Sequence, residues 1–205
     1  VPNNGNAREK IQPGDIKFKD INRDGVVNDY DLTIIGNPNP KHIGGFGNNF
    51  QYKNFDLNVF FQWSYGGDVL NANRIEFEGG DPNARTSLNM FASFANRWTP
   101  ENQTNELYRI GGQGPAVYSS RTIEDGSFLR LKTVALGYRL PNAWLKKINI
   151  KSLRVYASAQ NLITWTKYSG PDPEVSTRPT ALTPSFDWSP YPRPRTITLG
   201  VDISF

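Results

Sequence analysis

Two stretches of this 205-residue chain alternate apolar and polar side chains without a break, and that period-two pattern restricts its architecture more than any other feature. At 196–205, Ile197, Leu199, Val201, Ile203 and Phe205 fall on one side of an extended strand. Thr196, Thr198, Gly200, Asp202 and Ser204 fall on the other. At 55–65, Phe55, Leu57, Val59, Phe61, Trp63 and Tyr65 oppose Asp56, Asn58, Phe60, Gln62 and Ser64. Shorter alternations cover 152–160, extendable through Asn161 to Trp165, and 134–140 and 46–52, giving five strands in all. The fold class expected from them is all-β.

An antiparallel sandwich alternates as well, so the pattern alone does not separate a watery from a lipidic environment. Strand length and connection length do. Soluble strands have a mode of about 5–6 residues, whereas a tilted membrane-spanning strand needs about 9–11, and two segments here reach that length. Trp63 and Tyr65 close one apolar stripe with rings suited to a membrane interface. Only Lys53 and Asn54 separate 46–52 from 55–65; the next connection, 66–126, is long, 141–151 is short, and 166–194 is long again. Tight turns on one side and long loops on the other are the asymmetry of a bacterial outer-membrane barrel. Five strands cannot close a barrel, and open edges would strand backbone groups in hydrocarbon, so the chain reads as one arc of a larger barrel. On this reading Phe205 ends at the periplasmic rim, and the segment before Ile43 lies outside the cell.

Composition removes several other classes. Hydrophobic residues make up 37% and charged residues 20% of the chain, while aromatics reach 13%, which excludes both disordered and collagen-like chains. Without cysteine there is no disulfide framework, thiolate zinc site or cysteine nucleophile. The single histidine, His42, rules out a histidine-rich metal centre and reads as an ordinary loop or strand-end residue. The net charge of +4 comes from scattered basic residues, so nucleic acid is not an expected partner. No apolar run is long enough for a transmembrane helix, a test that is blind to barrels, and Val1 to Gly5 does not read as the start of a signal peptide.

Six blocks carry a family resemblance: GDIKFKDINRDGVVNDYDLTIIGNPNPK (14–41), YKNFDLNVFFQWSYGGDV (52–69), NRWTPEN (96–102), EDGSFLRLKTVALGYRLP (124–141), SLRVYASAQNLITWTKYSGPDPE (152–174) and YPRPRTITLGVDISF (191–205). In this order they resemble the C-terminal portion of SusC/RagA-type TonB-dependent transporters of Bacteroidetes. The resemblance implies a plugged barrel of about 22 strands that imports oligosaccharides or peptides. It also implies energy relayed by TonB, a SusD-like surface lipoprotein as lid, and a bacterial outer-membrane location. The plug, the TonB box and most of the barrel have no counterpart in these residues. Phe205 resembles the terminal aromatic residue by which outer-membrane proteins are recognised for barrel assembly. A final apolar-face residue of the strand is the plainer reading of the same position.

Residues 20–31, DINRDGVVNDYD, match an EF-hand loop: Asp20, Asn22 and Asp24 at positions 1, 3 and 5, Gly25 at 6, the Val26 carbonyl at 7, Asn28 at 9 and Asp31 at 12. Calcium is the expected cation, with a rigidifying and not a catalytic role. Asp31 departs from the usual Glu, as in the dockerin-type loops this segment is similar to, and an Asx-rich turn satisfied by its own amides is the competing reading. Residues 86–98 read as a short helix with Leu88, Phe91, Ala95 and Trp98 on one stripe, either packed on loop aromatics or touching lid or substrate. Gly111 to Pro115 reads as a loop, since Pro115 and the missing Lys-Ser/Thr argue against a phosphate cradle. The acidic group Glu76, Glu78 and Asp81 reads as a solvated loop and not as a hydrolase pair. Trp98, Trp165, Tyr168, Trp188 and Tyr191 are candidate loop contacts for ligand or partner.

Residues 1–42 are therefore expected to form an extracellular loop with a cation motif, and 43–205 the barrel strands and their loops. Asp56, Asn58, Gln62, Arg154, Ser158, Gln160, Asp202 and Ser204 are the expected lumen-facing wall. No catalytic residues and no organic cofactor are expected; the chemistry is selective passage, with the rest of the barrel and plug, TonB, a SusD-like lid and substrate as partners. The alternative from another class is a soluble calcium-dependent carbohydrate-binding or adhesion module. A glycoside hydrolase is a distant third.

Overall fold

A computed structural model of the chain describes residues 12–79, 88–113, 118–146, 149–178 and 180–205. Its strands are β1 (His42–Tyr52), β2 (Phe55–Tyr65), β3 (Asp68–Asn71), β4 (Ile123–Asp125), β5 (Phe128–Arg139), β6 (Ser152–Thr166), β7 (Phe186–Asp187) and β8 (Thr196–Ser204). Two short helices, α1 (Ala72–Gly79) and α2 (Asn142–Leu145), accompany them. No helix among the described residues is long and apolar enough to cross a membrane, which says nothing of strands.

The chain divides into two compact units. One, drawn from 38–68, 125–174 and 191–205, is a five-stranded antiparallel sheet in the order β1-β2-β5-β6-β8. Its strands follow one another along the chain, the up-and-down order expected from the connection lengths. Aromatic and β-branched residues fill the alternate positions of these strands, where they fit a pleated surface. Lys53 makes the β1–β2 reversal in a left-handed backbone conformation (φ 54°), and Gly66 (φ 87°) ends β2. The strands exceed the alternation that announced them: β1 starts at His42 and β5 at Phe128.

A bulge hides the first half of β5. Phe60 pairs with Thr133 but Phe61 pairs with Leu131, so Lys132 is an extra residue on β5. Leu129 and Leu131 therefore share a face with Val134, Leu136 and Tyr138, although their sequence parity differs. Beyond it, β6 accommodates Asn161 and Leu162 between the partners of Leu131 and Thr133, with Asn161 at φ 53°. Such bulges bend a strand and increase its twist.

The second unit, from 1–37, 69–124 and 175–190, holds a small sheet in the order β4-β3-β7, with β3 and β7 parallel. Val69, Ala72 and Phe186 are buried there, and so is Asp187, which accepts from Asn73 Nδ2 at 2.7 Å. Asn73 Oδ1 in turn accepts from the Ser189 amide at 2.6 Å, so the buried polar pair is closed on both sides. In α1, Arg74 and Glu78 pair at 3.0 Å one helical turn apart. The helix expected over 86–98 does not form over its described part: only Ala92–Asn96 make a 3₁₀ turn, entered from an extended Phe91 that lacks a side-chain cap. Phe91 instead packs on Phe77 of α1, with ring centroids 5.2 Å apart.

Candidate functional site

Register converts the separate alternations into two continuous faces. Directly opposed residues share a face, and the row Leu57, Leu136, Ala157, Leu199 runs through four adjacent strands. The row Val59, Val134, Ala159, Ile197 does the same. Phe46 stacks on Phe61 at 4.8 Å, and Phe61 on Trp165 at 6.5 Å. This face stays open: Ile197 is 72%, Leu199 78% and Val201 56% exposed. His42 is the first residue of β1, where its Nδ1 accepts from Trp63 Nε1 at 3.1 Å and its ring stacks on Tyr65 at 5.1 Å.

The opposite face carries all eight residues expected on a polar wall. Asp56, Asn58 and Gln62 lie on β2, Arg154, Ser158 and Gln160 on β6, and Asp202 and Ser204 on β8. Arg154 grips Asp56 with two bonds, Nε to Oδ1 at 3.0 Å and Nη2 to Oδ2 at 2.6 Å, and gives Nη1 to Asp202 at 3.2 Å. Its guanidinium crosses β5 at Gly137, where a Cβ would sit 2.6 Å from Nε. Asn58 donates to Asn49, and Lys132 Nζ to Gln62 Oε1 at 2.6 Å, so the bulged residue also faces this wall.

Sequence spacing did not reveal a second charge network within this unit. Arg130, 1% exposed, gives Nη2 to Asp172 at 2.5 Å, Nη1 to Glu174 at 3.1 Å and Nε to Thr164 at 3.1 Å. Arg193 joins the same carboxylates, at 3.2 Å to Asp172 and 2.9 Å to Glu174. A buried guanidinium is tolerated only when paired this fully. The network fastens 172–174 and 193 to the end of β5, and only the acidic run Pro171-Asp-Pro-Glu174 hinted at it.

In the loop at 20–31 the backbone occupies the side-chain oxygens. Asp20 accepts from the amides of Arg23 (2.6 Å) and Gly25 (2.9 Å), Asn22 from that of Asp24, and Asp24 from that of Val26. Asp31 accepts from the amides of Ile21 (2.7 Å) and Asn28 (2.9 Å), while Asn28 caps the 3₁₀ turn at Asp29–Asp31 through the Tyr30 amide. Those amides, Asn28 foremost and then Ile21, hold the Asp31 carboxyl below the usual carboxylate range. The sign follows: this contribution to loop stability is present above the ordinary carboxyl pKa and is lost as pH falls through the lowered one. Among the described residues no group of three or more His, Cys, Asp or Glu is placed to hold a metal ion.

The candidate loop aromatics part company. Trp165 is in β6, on the apolar face and not in a loop. Tyr168 is buried, its ring closed over Gly170. Trp188 stacks on Phe186 at 6.1 Å, whose ring also carries Arg178 at 4.3 Å. Tyr191 is 91% exposed, and Phe205 follows β8 with its ring exposed. Trp98 borders a cavity of about 450 Å³ in the second compact unit, here called the loop unit, shared with Lys17, Lys19, Tyr108 and Arg121. Burial pushes the Tyr108 hydroxyl up to about 12. Of the acidic group, Glu78 pairs with Arg74 and accepts from Ser93 Oγ at 3.1 Å; Asp81 lies outside the described residues, as do Gly114 and Pro115.

Over most of its length the chain is similar to known proteins. No family model matches the chain. The TonB-dependent receptor P3 of Formosa agariphila is 38% identical over 198 residues, which is 94% of this chain and 19% of that receptor. The TonB-dependent receptor SusC of Bacteroides thetaiotaomicron is 32% identical over 200 residues, 96% of this chain and 18% of SusC. A chain of the RagAB peptide importer in its "closed-closed" state superposes with a TM-score of 0.70 at 32% identity, over 84% of this chain and 18% of that one. The chain thus spans about a fifth of the length of the relatives it matches. Over nearly its whole length the chain is thus similar to a part of the TonB-dependent receptors, SusC among them, and to a part of a RagAB importer chain.

Proposed function

We propose that this chain is the C-terminal part of the barrel wall, with its outer loops, of a TonB-dependent outer-membrane importer of oligosaccharides or peptides that works beneath a SusD-like lipoprotein. One observation carries the reading: a five-stranded meander presents a continuous apolar face that stays open and a polar face knitted by ion pairs. Apolar rows of this extent are costly against water and fitting against acyl chains. The polar wall of Asp56, Asn58, Gln62, Arg154, Ser158, Gln160, Asp202 and Ser204 then borders the aqueous lumen. The outer edges of β1 and β8 have no ladder partner among the described residues. In hydrocarbon such edges must be paired, which calls for the remainder of the barrel. Passage is driven through the plug and TonB, and the wall supplies a wet, hydrogen-bonding surface.

The soluble-module alternative leaves the Ile197–Leu199–Val201 stripe facing water. Fractionation of cells that make the whole receptor separates the two readings. The receptor is expected in the outer membrane, released only by detergent; recovery from the aqueous fraction would overturn the importer.

Calcium at 20–31 belongs to the same proposal, supported by the spacing of Asp20, Asn22, Asp24, Val26, Asn28 and Asp31. Each carboxylate oxygen that accepts one amide keeps a second lone pair, and a bound cation would stiffen the loop. Proteolysis of the whole receptor tests it: cleavage within 20–31 should slow in calcium and speed up in chelator. Equal rates would remove the cation from the account.

A further inference from the structure

The loop unit contains a cavity lined by basic, aromatic and neutral polar residues. Its volume, about 450 Å³, falls within the range of small-molecule sites, roughly 300–1,000 Å³. Three cations line it, Lys17, Lys19 and Arg121, against one carboxylate, Asp15. Asp15 does not offset them, because its fully buried side chain is held by Arg109 at 2.7 Å. Among the described residues none of the three lining cations is joined to a carboxylate. Arg121 is nonetheless fixed in place: Nη2 donates to the Glu106 carbonyl at 2.8 Å, and the guanidinium lies over the Tyr108 ring at 5.7 Å.

The remaining lining is aromatic and neutral-polar. Trp98 lies against Gly14, where a Cβ would come within 2.6 Å of the indole Cδ2, so the absent side chain seats the ring at the cavity wall. Gly14 is also at φ +87°, a conformation other residues resist. Tyr108 and residues Asn105, Ser119 and Ser120 add uncharged hydrogen-bonding groups. Flat apolar rings beside hydroxyl and amide groups suit a sugar ring, whose two faces are carbon–hydrogen and whose rim is hydroxyl. The unbalanced cations suit a negative charge on that ring, since charge-assisted hydrogen bonds are the strong ones.

We infer that this cavity is a subsite for a carboxylated sugar residue, a uronate unit of an oligosaccharide. The inference rests on the importer reading for the origin of the ligand, and of the two polymer classes named there it selects the sugar. The aromatic pair stacks on the ring, Arg121 and the two lysines meet the carboxylate, and the neutral groups meet the hydroxyls.

Calorimetric titration of the whole receptor in detergent, with trigalacturonate, maltotriose and triglutamate as probes, tests this without any transport step. Trigalacturonate is expected to bind at least about tenfold more tightly than maltotriose, by an amount that shrinks as salt rises. Lys17→Gln/Lys19→Gln should remove about tenfold of that affinity. It should also flatten the salt dependence and leave the maltotriose affinity as it was. Trp98→Ala should weaken both sugars, and because it could disturb the loop, the lysine pair is the deciding variant. An affinity for trigalacturonate unchanged in the lysine variant, equal affinity for the neutral sugar, or tighter binding of triglutamate would overturn the inference. Binding that passes this test in a receptor that imports nothing would count against the importer and leave the subsite standing.

Discussion

Arg154 reaches Asp56 only because β5 offers no side chain at Gly137. The guanidinium lies across that glycine and over the ring of Tyr156, 5.1 Å from its centroid, while Tyr156 in turn lies on Gly200 of β8. Two missing side chains thus bed two large ones flat against the polar wall. The two glycines should respond differently to a methyl group. At Gly137 the obstacle is the tip of a flexible arginine, which can swing aside, so Gly137→Ala should release the Arg154–Asp56 pair and do little in an Arg154→Gln background. At Gly200 a Cβ would stand 2.6 Å from Tyr156 Cε1, part of a stiff ring, and Gly200→Ala should cost about 1–3 kcal/mol in any background. Heat-induced gel-mobility shifts of the folded receptor measure both; equal losses for Gly137→Ala with and without Arg154 would refute the pairing.

At the scale of elements, the apolar face makes a sharper demand. Leu199 sits in mid-strand on β8 opposite Ala157, and Thr198 beside it points the other way, opposite Ser158. With lipid against the apolar face, Leu199→Arg should cost about 2–4 kcal/mol near the bilayer midplane, and Thr198→Arg much less. Comparable folded yields of the two variants in outer membranes would contradict that orientation. Both strands with uninterrupted alternation, β2 and β8, were legible because one phase runs from end to end. Only the second half of β5 was visible, since the extra Lys132 reverses the phase and leaves Leu129 and Leu131 out of step with Val134. The 86–98 segment misled through a stripe that fits about three turns of helix; Asn89, Ser93 and Asn96 weaken a helix, and Phe91 packs on Phe77 instead. Of the site, the polar wall could be read from strand parity. Its partners could not: Arg154 and Asp56 are 98 positions apart, and Arg130 and Asp172 are 42. Nothing in local spacing encodes such pairings. The cavity lined by Lys17, Trp98 and Arg121 was invisible for the same reason, since it is assembled from three separated segments.

For the molecule as a whole, the proposed importer requires the five-stranded sheet to be one arc of a larger barrel. Each unit has an identity of its own: an arc with one apolar and one polar face, and a loop unit whose small sheet and aromatic packing support a basic cavity. The chain spans about a fifth of the length of the receptors it is similar to, and the outer edges of β1 and β8 have no ladder partner among the described residues. Which medium touches each face decides whether the sheet lines a membrane barrel. Spin labels placed one at a time at 197, 198, 199, 201 and 202, in an otherwise cysteine-free receptor reconstituted in bilayers, report this through collision with dissolved oxygen and with a water-soluble nickel complex. Oxygen should dominate at 197, 199 and 201 and nickel at 198 and 202, reversing at each change of face. Labels at 197, 199 and 201 shielded from both reagents, or contacting nickel as freely as their neighbours, would show that the apolar face does not meet lipid.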